Sequence, residues 1–254
     1  MKLGEHKANM DRQSHAGTGS EDAANALEKL ISAKTDKLDL PNVTLVCADD
    51  VETAKALKMM RDICVVINFG DVKMFSSPKP SIPHHEFMVE VPPLQSIKDY
   101  DEFIFKNLNN FISTEFCMIV QTDGHPLRTD AWREEFLHYD YIGAPWTWVS
   151  SLPDPRDSFK HCPVGRCVGN SGFSIRSKKL MEVLLDYEYD FDVNGPEDEY
   201  VCRTIGEELK SKGIKFAPVE IAHMFSVENA MWRGQFGFHG KSTYELNKSL
   251  GLFK

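Results

Sequence analysis

Residues 42–69, NVTLVCADDVETAKALKMMRDICVVINF, decide the fold. The run Val43-Thr44-Leu45-Val46-Cys47 is short, apolar and β-branched, and it predicts a strand. Asp49 and Asp50 follow, carrying the carboxylates that cap a helix N-terminus, so a helix is expected over residues 51–61. Ile63-Cys64-Val65-Val66-Ile67-Asn68-Phe69 then reads as a second strand, apolar on both faces as a buried parallel strand must be. Strand, helix and strand within about 27 residues form a βαβ unit.

Downstream, Pro78, Pro80, Pro83, Pro92 and Pro93 mark a loop-rich stretch, with Met88-Val89-Glu90-Val91 as a brief strand inside it. Ser96-Ile97-Lys98-Asp99 has the spacing of a capping box, and Tyr100, Ile104, Leu108 and Phe111 give the helix behind it an apolar stripe. Phe116-Cys117-Met118-Ile119-Val120 is another buried strand and runs straight into Gln121-Thr122-Asp123-Gly124. Helices are expected from Thr129 to Phe136, from Ser177 with Leu180, Val183, Leu184 and Tyr187 inward, and from Pro196 to Lys212 with Gly213 as its stop. Residues 214–219 read as a last strand. The alternation implies an α/β fold.

Upstream, residues 1–20 are polar and read as a disordered tail. Residues 21–41 read as a helical or linker segment, with a short helix over 21–34, and the ordered domain is expected over 42–254. With 254 residues, 42% hydrophobic content and 16 Phe, the chain is a folded protein and not a disordered one. A net charge of −9 argues against non-specific nucleic-acid binding. No transmembrane or export segment is evident, so the six cysteines are expected as free thiols in a cytoplasmic protein. Cys162 and Cys167 lack a second ligand pair at zinc spacing, and His84-His85 falls in the Pro-rich loop.

Several segments carry residues suited to chemistry, each with a plainer alternative. Asp123 lies just past a buried strand, where open α/β sheets bind ligands, and a carboxylate there can hold a divalent cation; Asp-Gly is equally a turn pair. Glu197, Asp198 and Glu199 open a helix, where they complement its dipole or present one carboxylate as a general base. Gly169-Asn170-Ser171-Gly172 allows close backbone approach to a ligand or forms a tight turn. His239, flanked by Phe238 and Gly240, either closes over a ligand or is a structural histidine. Residues 139–146, ending in Trp146, read as a pocket wall or as core.

Taken in order, Gln121-Thr122-Asp123, residues 139–146, residues 169–177, Pro196-Glu197-Asp198, residues 223–228 and Phe236-Gly237-Phe238-His239 form a specific series. It resembles a domain-of-unknown-function family of the GT-A glycosyltransferase type, over roughly residues 42–240. The resemblance implies a single GT-A-like (Rossmann-like) domain with a mixed, mainly parallel sheet flanked by helices. It implies a nucleotide-sugar donor, Mn²⁺ or Mg²⁺, and sugar transfer to a hydroxyl by the inverting reaction. Gln121 stands where the family motif has its first Asp, so Asp123 alone is carried over, with His239, as a metal ligand. Glu197 and Asp198 match the catalytic acidic pair, with Asp198 as base. Gln121, Thr122, Asp123, Asn170, Ser171, Gly172 and Trp146 match the donor site.

A cation would stabilise the leaving diphosphate, and Asp198, in a helix's first turn, is expected to stay ionised. The acceptor is open between glycan, protein, small molecule and modified nucleic-acid base; Arg156, Lys160, Arg166, Arg176, Lys178 and Lys179 concentrate positive charge in one region. Glu188, Asp190, Asp192, Glu197, Asp198 and Glu199 crowd the proposed base, which favours a cation between cleft and diphosphate. A metal-dependent phosphoester hydrolase and a non-catalytic nucleotide- or sugar-binding module are the alternatives.

Overall fold

Strand β1 spans Leu38–Ala48, so it opens four residues ahead of the Asn42 expected from sequence. This is seen in a computed structural model that describes residues 37–78, 86–146 and 168–253, which from Leu38 onward form one compact unit. The expected tail, the helix over 21–34, His84-His85, Cys162, Cys167, Arg156, Lys160 and Arg166 lie outside the described residues.

Strand β1 has the burial that its composition dictates. Val43, Leu45 and Cys47 point into one apolar cluster, while Val46 and Ala48 point into another on the opposite face. Alternate side chains of a strand go to opposite faces, so both faces of the sheet are covered here. Asp49 then starts helix α1, Thr53–Val66, by accepting from the N–H groups of Val51 (2.7 Å) and Glu52 (2.6 Å).

Helix α1 runs through residues 63–66, which the sequence reading assigned to a strand. Ala56, Leu57, Met60 and Ile63 form its buried stripe, whereas Val65 is 67% and Val66 47% exposed. The apolar run is helical because Ile63 completes a stripe at helical spacing, and the two valines simply face solvent. Strand β2, Ile67–Ser76, begins only then and pairs parallel with β1.

Strand β3, Met88–Glu90, adds a parallel edge to β2. Helix α2, Ile97–Glu102, opens on the expected capping box: Ser96 Oγ accepts from Asp99 N–H, and the Asp99 carboxylate accepts from Ser96 N–H (3.0 Å). It passes into a π turn, Phe103–Asn107, closed by the Leu108 N–H on the Phe103 carbonyl, and then a 3₁₀ turn, Leu108–Phe111. Strand β4, Phe116–Ile119, pairs parallel with the free side of β1.

Beyond it come β5 (Gly124–Pro126), two 3₁₀ turns where one helix was expected (Thr129–Ala131 and Glu134–His138), β6 (Tyr141–Ile142), β7 (Ala144–Pro145), β8 (Val168–Gly169) and β9 (Ser174–Ser177). Ser177 Oγ caps α3, Lys178–Leu184, at the Leu180 N–H (3.0 Å). Short helices α4 (Phe191–Asn194) and α5 (Glu197–Glu199) follow. A second π turn, Tyr200–Thr204, is closed by Ile205 N–H on the Tyr200 carbonyl (3.0 Å) and leads into α6, Gly206–Ser211. Residues 214–218 are not a strand: only Phe216 bridges to Tyr141, and Pro218 turns the chain into α7, Val219–Phe225. Strands β10 (Ser226–Glu228) and β11 (Gly237–His239) and helix α8 (Lys241–Ser249) complete the chain.

The main sheet has the order β3-β2-β1-β4-β9-β6, parallel from β3 to β4 and antiparallel at β9. This is a mixed, mainly parallel sheet flanked by helices, as expected. A small sheet, β10-β11-β5, and the β7-β8 pair stand beside it. No helix among the described residues is long and apolar enough to cross a membrane. Cys47 and Cys117 are free thiols, and burial pushes the Cys117 thiol up to about 12, where it is unreactive.

The β7-β8 pair is packed to its limit. A Cβ added at Gly143 would lie 1.8 Å from the Gly169 carbonyl oxygen. Because that neighbour is backbone, Gly143→Ala is expected to destabilise by about 1–3 kcal/mol. Urea unfolding checks this, and a midpoint equal to wild type would show that the pair can open freely.

Candidate active site

A cleft of about 430 Å³ lies outside the carboxyl ends of β1 and β4. From β1 the chain proceeds to β2 on one side, and β4 is laid down on the other, so the cleft occupies a topological switch point. Asp49, Asp50 and Gln121 supply its floor, and Ser96, Tyr100 and Asp101 of α2 one wall. Ser171, Gly172, Asp198 and His239 supply the other. The aspartates after β1 are spoken for. Asp49 holds the turn ahead of α1, and Asp50 accepts from Ser76 Oγ (2.7 Å), Ser77 N–H (2.7 Å) and Leu94 N–H (2.6 Å). Burial acts to raise the Asp50 carboxyl, but these donors hold it down at about 2.

Asn170 organises the loop ahead of β9. Its φ is 84°, a conformation that asparagine tolerates, and it is 1% exposed. Its carbonyl accepts from Tyr141 OH (3.0 Å), its Oδ1 accepts from Phe173 N–H (3.1 Å), and its Nδ2 contacts His239 Nδ1. Gly172 is required by close approach: a Cβ there would lie 2.1 Å from His239 Nε2 and 2.4 Å from Gln121 Oε1. Ser171 N–H donates to Asp198 Oδ2 (3.1 Å).

Behind this loop lies a buried ion pair. Arg176 donates from Nη1 and Nη2 to the two carboxylate oxygens of Glu197 (3.0 and 2.6 Å), with side chains 1% and 0% exposed. Glu197 therefore does not reach the cleft, contrary to the expectation that it shares the chemistry. Its place is to hold Arg176. Asp198 does line the cleft, and its Oδ1 accepts from Glu199 N–H (2.8 Å). Burial and the Glu197 charge push the Asp198 carboxyl up to about 6, opposed by the Ser171 N–H and Arg176. The helix-start argument for a fully ionised Asp198 thus fails in direction: α5 is three residues long and the site is buried.

The backbones around His239 and Asp123 come together beside the small sheet. Gln121 and Gly124 close a tight turn around Thr122 and Asp123 with paired backbone bonds of 2.8 and 2.9 Å. Gly124 faces His239 across the β5–β11 ladder, and Gly240 N–H donates to the Asp123 carbonyl (2.8 Å). The Asp123 side chain is partly exposed at this tip and does not line the cleft. Thr122 Oγ1 donates to Glu52 (3.0 Å). His239 Nδ1 lies 3.1 Å from Glu228 Oε1, and its Nε2 lies 3.4 Å from Gln121 Oε1. A carboxylate on one ring nitrogen is how metal-ligating histidines are commonly oriented, which suits His239 to a ligand's role. Magnesium is often bound through only one or two carboxylates, with substrate phosphates and water filling the other positions. Among the described residues no group of three or more His, Cys, Asp or Glu side chains is gathered to hold a metal ion.

Trp146 is core and not cleft wall. It is 5% exposed, packs on Gly169 and carries the Arg203 guanidinium 4.2 Å above its ring. The acidic crowd is likewise dispersed: Glu188 and Asp190 line a separate surface groove, and Asp192 pairs with Lys98. Sequence reading missed Tyr100, Asp101 and Glu228. Asp101 carried a signal, because it sits at helical spacing from Ile97, Phe105 and Leu108, a carboxyl on an apolar stripe.

Fold and site define an α/β protein with a cleft at the carboxyl edge of a mainly parallel sheet. The chain belongs to the family described as "Protein of unknown function (DUF5672)", which matches residues 84–239, more than half of its length. No curated protein matches it. Among solved structures it is similar to the "crystal structure of a glycosyltransferase involved in the glycosylation of the major capsid of PBCV-1", at 13% identity and a TM-score of 0.42, covering 82% of this chain and 98% of that one. That likeness is too slight to bear on the chemistry.

Proposed function

We propose that this protein is a GT-A-type glycosyltransferase that moves a sugar from a nucleotide-sugar donor to a hydroxyl acceptor with inversion. The observation that carries the reading is Asp198: a carboxyl fixed by two backbone N–H groups on the wall of a switch-point cleft, where burial and Glu197 push it up to about 6. A general base works best with a pKa near the working pH. The ordered motif series around it supports the same reading.

In this scheme Gln121, Thr122, Ser171 and Gly172 bind the donor, and Asn170 holds His239 in place. Asp123 and His239 hold Mn²⁺ or Mg²⁺, which when bound neutralises charge on the departing nucleoside diphosphate. Asp198 takes the proton of the acceptor hydroxyl. A glycan, protein, small molecule or modified nucleic-acid base can supply that hydroxyl. A two-metal phosphoester hydrolase needs several converging ligands, and the described residues gather no such group.

The test is nucleoside diphosphate release from a panel of nucleotide sugars with Mn²⁺ or Mg²⁺. Asp123→Ala and His239→Ala are expected to abolish cation-dependent release. Glu228→Gln is expected to weaken the cation requirement's half-saturation by about 10–100-fold, as loss of an outer-shell partner does. Unchanged cation dependence in all three variants would remove the metal assignment.

A further inference from the structure

Asp101 has no part in the scheme above, yet it is the second carboxyl on the cleft wall facing α5. It is 4% exposed and lines the cleft together with Asp198. Its Oδ2 accepts from the Glu197 N–H at 3.3 Å, which seats it on the turn that carries Asp198. Among the described residues Oδ1 makes no hydrogen bond, and it is not one of the buried polar atoms sealed from solvent. One oxygen is anchored and the other is left to the cleft.

Counting charges sets its chemistry. Around Asp101 stand Glu197 and Asp198 from α5, Arg176 from β9 and the Tyr189 phenol ahead of α4. Arg176 is committed to Glu197 through two nitrogens, and among the described residues no further buried cation is paired with Asp101 or Asp198. Like charges close together oppose one another's ionisation. Burial, then Glu197 and Asp198, push Asp101 up to about 8, against about 6 for Asp198. At pH 7 Asp101 carries a proton to offer and Asp198 is free to take one. Environments that separate two carboxyls in this way assign them different roles.

We propose that Asp101 is a hydrogen-bond donor to the acceptor, its Oδ1–H holding the hydroxyl oxygen so that the hydroxyl proton points at Asp198. This role rests on the glycosyltransferase reading. As the acceptor oxygen bonds to the anomeric carbon, its proton passes to Asp198. The bond from that carbon to the diphosphate oxygen breaks, and its electron pair leaves with the nucleoside diphosphate. Asp101 keeps its proton throughout.

The experiment uses the full chain with a donor that it turns over. Asp101→Ala is expected to lower kcat and raise the acceptor KM, a combined loss on the order of 10–100-fold. Asp101→Asn keeps an N–H donor at that position and is expected to recover most of the loss. Wild-type activity should fall as pH rises through about 8, where Asp101 ionises, and Asp101→Asn should lack that fall. Infrared difference spectra without donor should show a protonated-carboxyl band at pH 7 that disappears in Asp101→Asn. Circular dichroism checks that both variants fold. Wild-type kinetics in a folded Asp101→Ala, or absence of the band, overturns the role of Asp101 and leaves the glycosyltransferase reading standing. Wild-type protein that releases nucleoside diphosphate from no donor, with the band present, overturns that reading and the role with it.

Discussion

Arg176→Ala is expected to destabilise the protein by about 3–5 kcal/mol, because it leaves the fully buried Glu197 carboxylate without its cation. That is a large share of the stability of most domains. A second substitution separates charge from packing. Replacing the pair together, Arg176→Met with Glu197→Leu, removes both charges and is expected to restore most of the stability. It should not restore turnover, because Arg176 also donates to Ser171 Oγ (3.3 Å) in the loop that holds Asp198. Urea unfolding of both variants decides the matter. An Arg176→Ala protein as stable as wild type would mean that Glu197 finds another partner or takes up a proton at little cost.

Asp198→Asn is expected to lower kcat by about 10²–10⁴-fold, the usual contribution of a general base. Its effect on stability should have the opposite sign. The Asp198 pKa is raised on folding, so the stability that its protonated form gives is full below about 4 and lost as pH rises through about 6. At pH 7 the native state holds a carboxylate that burial and Glu197 disfavour, and the neutral amide relieves both, which offsets its loss of one of the two backbone N–H bonds. Thermal melting at pH 7 should therefore show a midpoint equal to or above wild type, while turnover collapses. Wild-type activity should rise with pH through about 6, as the base loses its proton. Full turnover by Asp198→Asn would be falsifying for its role as base.

What could be read from the sequence was local. The strand over Val43 to Cys47 and the capping side chains of Ser96 and Ser177 depend on near neighbours and appear where expected. Residues 63–66 misled because an apolar run looks the same whether solvent or protein lies beside it, and only packing exposes Val65 and Val66. Residues 214–218 misled in the same way, since one bridge to Tyr141 does not make a strand. At the site, the spacing of Glu197 and Asp198 places neighbouring acids at a helix start. It does not say that Arg176, 21 positions away, will claim the first and leave the second to the cleft. Trp146 went to the core for a comparable reason, because its partners Gly169 and Arg203 come from distant parts of the chain.

The two π turns bear on how this site tolerates change. Asp101 and Asp198 each sit just ahead of one, at Phe103–Asn107 and Tyr200–Thr204. A π turn holds one residue more than an α turn, and each residue rotates a helix by roughly 100°. Removing a single residue from either segment would set the acid and the apolar stripe behind it out of phase. Ile205 and Leu209 could not stay buried while Asp198 kept its direction. The aim of the two carboxyls is thus written in chain length as much as in side-chain identity, and these segments bear a change of letter more readily than a change of count.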